Sequence, residues 1–169
     1  MPKWTKIFPS HNPGAGVCMG ASAQWCKEAR RGYYHCDPHL PSNMELTKEL
    51  TTKFVEDSKG STVDRLKKLL ELVGISGATT IYTCNAKSTE LMSYIKKHAG
   101  VYLIIAGTHV MAVSSREGKY YFYDNMNGLY RCHDKEGLEA VIKKLRGPHG
   151  EEEWSLSGPD GWRGIKCPV

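Results

Sequence analysis

The chain has 169 residues, 40% hydrophobic and 24% charged, with a formal net charge of +5 at pH 7. That length and balance suit a single domain, residues 1–169, able to bury a sizeable core, and they exclude a disordered or fibrous chain. No stretch reads as a transmembrane helix, and Met1-Pro2-Lys3-Trp4-Thr5-Lys6-Ile7 lacks the apolar core of a secretory signal, so the protein either stays in a cytosol or is exported without such a signal. The basic residues are scattered without a long run, which speaks against nucleic acid as a partner. Six cysteines (18, 26, 36, 84, 132, 167) stand at irregular spacing with no CxxC, the pattern of free thiols in a reducing compartment. Tyr34-His35-Cys36-Asp37-Pro38-His39 holds metal-ligating residue types. No second ligand pair follows and Pro38 marks a turn, so neither a metal nor another cofactor is expected.

In chain order, the Gly/Pro-rich stretch His11-Asn12-Pro13-Gly14-Ala15-Gly16 runs straight into a helix predicted from Cys18 to Arg31, with Gly32 as its stop. Cys18 thereby falls in a first helical turn, where unpaired N–H groups and the helix dipole favour a thiolate. Ala21, Trp25 and Ala29 recur at i, i+4, i+8, so Trp25 anchors that helix in the core. A second helix is predicted over Asn43 to Asp57, with Ser42 as cap and Glu45 completing a capping box. A third covers Thr62 to Val73 behind Ser61 and Asp64, with Leu66, Leu69, Leu70 and Val73 as its buried stripe.

Strands dominate from there. Ala78 to Thr83 is a short strand, Ser88 to His98 a helix, and Val101-Tyr102-Leu103-Ile104-Ile105-Ala106 a continuous apolar run suited to a central strand covered on both faces. Thr108 to Ser114 and Lys119 to Asp124 then form a hairpin through Ser115-Arg116-Glu117-Gly118. With the loop centred between Arg116 and Glu117, partner numbers sum to 233 and His109 faces Asp124, about 5 Å between Cβ atoms. A three-residue loop makes the sum 234 and puts Asn125 opposite instead. The remaining chain reads as an amphipathic helix, Asp134 to Arg146, ended by Gly147-Pro148. A last strand follows within Glu151 to Ser157, then a Gly158-Pro159-Asp160-Gly161 turn and Trp162, which either packs over the sheet or lines a cleft.

A helix-borne Cys and a strand-borne His with a polar partner suit acyl transfer through a thioester. Cys18 attacks a carbonyl, His109 moves the proton, and Asp124 (or Asn125) fixes the ring tautomer. The backbone N–H of Cys18 is one oxyanion donor. Asn12 is the candidate for a second, unless it is only a turn residue before Pro13.

Gly16-Val17-Cys18-Met19-Gly20-Ala21-Ser22-Ala23-Gln24-Trp25, then His109, then Tyr121-Phe122-Tyr123-Asp124 and Gly128, resembles the papain-like superfamily. Within it the pattern is most similar to YopT-type cysteine proteases of bacterial effectors, whose Ser four and Trp seven residues after the Cys are matched by Ser22 and Trp25. The resemblance spans about Asn12 to Tyr130. It departs after the Asp, where the family tends to read Asp-Pro-Asn-aromatic-Gly and this chain has Asp124-Asn125-Met126-Asn127-Gly128, which keeps Asn125 open as the third member.

The resemblance implies an α+β, papain-like fold, with a helical part (about residues 1–75) bearing the Cys packed against an antiparallel sheet (about 76–169) bearing the His and Asp. It also implies a cysteine endopeptidase acting on a protein substrate, secreted without a signal peptide and working in a target-cell cytoplasm. With only 17 residues ahead of Cys18, the chain reads as a catalytic domain cut from a longer toxin, and a producer would need a cognate immunity protein. A glutamine deamidase or acyl transferase with the same triad is the alternative. A non-catalytic basic binding protein with a structural Cys18 is the reading of another class.

Overall fold

A computed structural model describes residues 3–10, 17–57, 59–86, 88–106, 109–156 and 162–168, with side chains except at 82–89 and 146–156. In chain order the elements are β1 (Trp4–Pro9), α1 (Cys18–Arg30), α2 (Pro41–Glu56), α3 (Thr62–Leu72), β2 (Thr79–Ala86) and α4 (Ser88–Lys97). They continue with β3 (Gly100–Ala106), β4 (His109–Arg116), β5 (Lys119–Asp124), β6 (Gly128–Cys132), α5 (Lys135–Leu156) and β7 (Trp162–Cys167). The seven strands form one antiparallel sheet in the order β1-β6-β5-β4-β3-β7-β2.

The apolar run in β3 dictates its place: every residue is buried, and it pairs with β4 on one side and β7 on the other. Alternation then divides the core in two. Val101, Leu103, Ile105, Val110, Ala112, Tyr121 and Tyr123 pack under α1, α2 and α3 through Trp25, Leu50, Phe54, Leu66 and Leu70. The opposite parity, Tyr102, Ile104, Met111, Val113 and Phe122, packs against Leu91 and Ile95 of α4 and Leu138, Val141 and Ile142 of α5. The α+β architecture expected from the sequence is therefore the observed one, with helices on both faces of the sheet.

Several local expectations change. The helix α2 starts at Pro41 with Leu40 as a cap lacking any side-chain bond, so the Ser42–Glu45 box is not used. Proline's fixed φ and missing N–H already suit a first helical position. The Ser61 cap does form, its hydroxyl accepting from the Asp64 N–H at 3.1 Å. The helix α5 runs through Gly147-Pro148 to Leu156, replacing the strand expected within Glu151 to Ser157; three successive glutamates favour helix there. The last strand is instead β7, and β1 and β6 were not foreseen. Strand β1 hydrogen-bonds along β6 from Trp4↔Cys132 to Pro9↔Gly128. Gly128 has φ +112°, and a Cβ there would lie 2.2 Å from the Phe8 carbonyl oxygen. The turn expected at 158–161 lies outside the described residues. Trp162 is 2% exposed and packs over the sheet in the second core.

Candidate active site

Cys18 is the first residue of α1. Its place is set by how α1 is fastened to the sheet. One turn on, the Ser22 hydroxyl donates to the Val110 carbonyl of β4 at 3.2 Å, next to His109. At the far end, Arg116, which closes β4, donates through Nη2 to the Ala29 carbonyl at 2.7 Å. Between them Trp25, fully buried, lies flat on Tyr123 of β5, ring centroids 6.1 Å apart and planes 6° apart, while its indole N–H donates to the Tyr34 carbonyl at 3.0 Å. On the other side, a Cβ on Gly20 would meet the Thr47 carbonyl of α2 at 2.3 Å, so the two helices touch backbone to backbone there. Ser22 and Trp25, the positions that carried the family resemblance, are thus the residues that dock the Cys-bearing helix onto the His- and Asp-bearing strands.

The hairpin register differs from both sequence alternatives. Arg116 pairs with Lys119 and Ala112 with Tyr123, a sum of 235, because the turn is the two residues Glu117-Gly118, with Gly118 at φ +66°. His109 is therefore not directly opposite Asp124. Moving from 233 to 235 preserves parity, however, so the two side chains still share a face as diagonal neighbours. They meet there: His109 Nε2 lies 2.8 Å from Asp124 Oδ1. The 234 register would have separated them. Asn125 falls on the other parity and is buried, its backbone carbonyl accepting from the Ser10 hydroxyl at 2.7 Å.

Asp124 is fully buried and its carboxylate has three donors. Oδ1 accepts from His109 and from the Met126 backbone N–H at 3.0 Å, and Oδ2 accepts from Asn127 Nδ2 at 2.7 Å. Burial alone would raise its proton affinity, but the bond and charge of His109, with the Met126 and Asn127 donors, hold it below the ordinary carboxylate range. The His109 ring is 18% exposed. Burial works against its charge, yet the hydrogen bonds and charges of Asp124 and Cys18 outweigh it and push the ring up to about 10. An ionised carboxylate only accepts, so Nε2 carries a proton and Nδ1 is left for the thiol, a hydrogen-bond partner of the ring. Cys18 Sγ also lies 3.3 Å from the Met19 sulfur.

Cys18, His109 and Asp124 are thus brought together where α1 begins, β4 begins and β5 ends. Asn12 lies outside the described residues. Among the described residues no three His, Cys, Asp or Glu side chains gather as a metal site, and no helix is long and apolar enough to cross a membrane. Among the described side chains five cysteines are free thiols, including Cys36, which burial raises to about 12. Sequence reasoning missed Met126 and Asn127. The only available signal was the turn-forming Asn125-Met126-Asn127-Gly128 after the Asp.

A Cys at the head of a helix, packed on an antiparallel sheet whose neighbouring strands bring His and Asp to it, is the arrangement of a papain-like, cysteine protease-type fold. No protein-family profile matches the chain and no curated protein matches it. Solved structures do. The chain is similar to the Pseudomonas avirulence protein AvrPphB at a TM-score of 0.67 and 14% identity, covering 96% of this chain and 97% of that one. It is similar to PatoxP, a cysteine protease-like domain of the Photorhabdus asymbiotica toxin PaTox, at 0.55 and 15%, covering 98% of this chain but 54% of that one. A third match is the ubiquitin-specific protease of murine cytomegalovirus tegument protein M48, solved with a ubiquitin-based suicide substrate, at 0.52 and 12%, covering 98% and 84%. The papain-like fold implied by the YopT-type resemblance is the fold of this chain.

Proposed function

We propose that the 169 residues form one catalytic domain, a cysteine endopeptidase of effector or toxin type that cleaves a protein in a target cell's cytoplasm. The observation that carries this reading is the His109 ring held at 2.8 Å by a fully buried Asp124, with the Cys18 thiol as its other partner. The Cys18 proton passes to His109 Nδ1 before attack, so that Sγ bonds to the substrate carbonyl carbon from a thiolate–imidazolium pair. Collapse of the tetrahedral intermediate breaks the C–N bond, and the same Nδ1 proton goes to the leaving amine, leaving a thioester. Water, giving a proton to Nδ1, then adds to the thioester; as the C–S bond breaks, that proton returns to sulfur and the acid product leaves. Asp124 stays ionised throughout and stabilises the charged ring. The Cys18 backbone N–H, at the first position of α1 where a helical N–H has no intrahelical acceptor, serves the oxyanion, and Asn12 is the proposed second donor. Delivery by a specialised secretion system belongs to the same proposal, in keeping with an avirulence protein and a toxin domain among the structural neighbours, and neutralisation by an immunity protein is proposed with it.

The test is intact-mass analysis of a proteome-derived peptide mixture treated with wild type, Cys18→Ala or His109→Ala, alongside iodoacetamide labelling of each cysteine against pH. Paired fragments from wild type alone support an endopeptidase. A gain of about one dalton on glutamine, or an acyl adduct, reassigns the same chemistry to a deamidase or acyl transferase. Labelling of Cys18 no faster than that of other accessible cysteines, and unaffected by His109→Ala, overturns the catalytic reading and leaves the binding-protein alternative.

A further inference from the structure

We propose that Asn127 is a positioning residue that sets the orientation and ionisation of Asp124 and, through it, the proton affinity of His109. The proposal rests on the catalytic reading above but concerns a residue outside the triad. A carboxylate held only at Oδ1 can turn about its Cβ–Cγ bond, and in a site with no exposed Asp124 surface a second oxygen without a donor is costly. Asn127 Nδ2 removes both problems. At 2.7 Å from Oδ2 it is the side-chain donor to that oxygen, and it leaves Oδ1 to the His109 ring and the Met126 N–H.

The backbone that carries this amide is itself fixed. The Asn127 N–H donates to the Asp124 carbonyl at 3.0 Å, closing the turn, and its carbonyl accepts from the Tyr130 hydroxyl at 3.3 Å. Beyond it Gly128 pairs with Asp124 across the β5–β6 ladder, and its positive φ and close approach to Phe8 leave no room for a side chain. An Asx turn from Asp124 to Met126 needs none of the Asn127 side chain. Its contact with Oδ2 is an addition to the turn, aimed at the oxygen that His109 does not use.

The experiment follows the ring titration of His109 by NMR and the iodoacetamide labelling rate of Cys18 at pH 7, in wild type, Asn127→Ala and Asn127→Ser. Once Oδ2 loses its donor the carboxylate turns from the ring, so Asn127→Ala lowers the His109 midpoint by about one pH unit and, with the ring still charged at pH 7, slows Cys18 labelling there less than about twofold. Asn127→Ser, which keeps a donor and a turn-forming side chain, recovers part of both. A purely structural role lowers Tm in Asn127→Ala while the His109 midpoint stays at the wild-type value, and that result overturns the proposal. If the midpoint moves as expected although wild-type Cys18 labels no faster than other cysteines, the positioning role stands and only the endopeptidase reading fails.

Discussion

Replacing Asp124 by Asn keeps the shape of the side chain and deletes its charge, in a site where no Asp124 surface reaches solvent to compensate. His109 then loses the carboxylate charge and exchanges the bond at 2.8 Å for one to a neutral amide oxygen, so that burial, which opposes the charged ring, faces mainly the Cys18 contribution. With the ring at about 10, more than about 99% of molecules carry the imidazolium at pH 7.5; with an ordinary midpoint of 6.5, about a tenth do. Asp124→Asn is therefore expected to move the His109 midpoint down towards or below 6.5 and to slow Cys18 alkylation at pH 7.5 about tenfold. Long-range 1H–15N NMR of the ring, assigned with His109→Gln, reads the first, and peptide mass spectrometry the second. An unmoved midpoint would refute the reasoning. So would a larger drop in Asn125→Ala, since that would mean the other parity of β5 holds the ring in solution.

The same pair predicts how fold stability varies with pH. His109 is raised, so its contribution is complete below its unfolded value of 6.5 and is lost as pH climbs towards about 10; Asp124 is lowered, so its contribution is complete above 3.8 and is lost on acidification. Urea midpoints should peak between roughly pH 4 and 6.5 and fall on both sides, and the double variant Asp124→Asn/His109→Gln should flatten the alkaline fall. Gly20→Ala forces a methyl against the Thr47 carbonyl and should destabilise the fold by about 1–3 kcal/mol in urea unfolding; no measurable loss would mean α1 and α2 separate easily. Trp25→Ala removes a fully buried ring from its stack on Tyr123 and should cost about 3–5 kcal/mol, with Tm and Cys18 labelling falling together.

How much was legible in the sequence follows from how local each signal is. Cys18 at a helix start is written in the Gly/Pro run before it and the apolar stripe after it, and β3 in six successive apolar residues. Of the two hairpin registers the sequence allows, the one that faces His109 with Asp124 kept its parity despite a wrong loop length, because side-chain direction repeats every two residues. The capping of α2 failed because Pro41 and Ser42 compete for the same helix end and only the preceding loop decides between them. Strands β1, β6 and β7 were invisible for a different reason. Each is short, and each is stabilised by a partner far away in sequence, as in the Trp4↔Cys132 pairing.

Residue types and their periods thus determined by themselves that this is an α+β chain with a Cys at a helix start and a strand-borne His facing a polar residue across a hairpin. Only the tertiary structure decided that they meet, because Ser22 on the Val110 carbonyl, Trp25 on Tyr123 and Arg116 on the end of α1 bridge segments some 90 residues apart. It also decided between Asp124 and Asn125 as the ring's partner, and put Asn127 behind the Asp. Those outcomes depend on register and turn geometry summed across the whole sheet, to which no stretch of local sequence is sensitive.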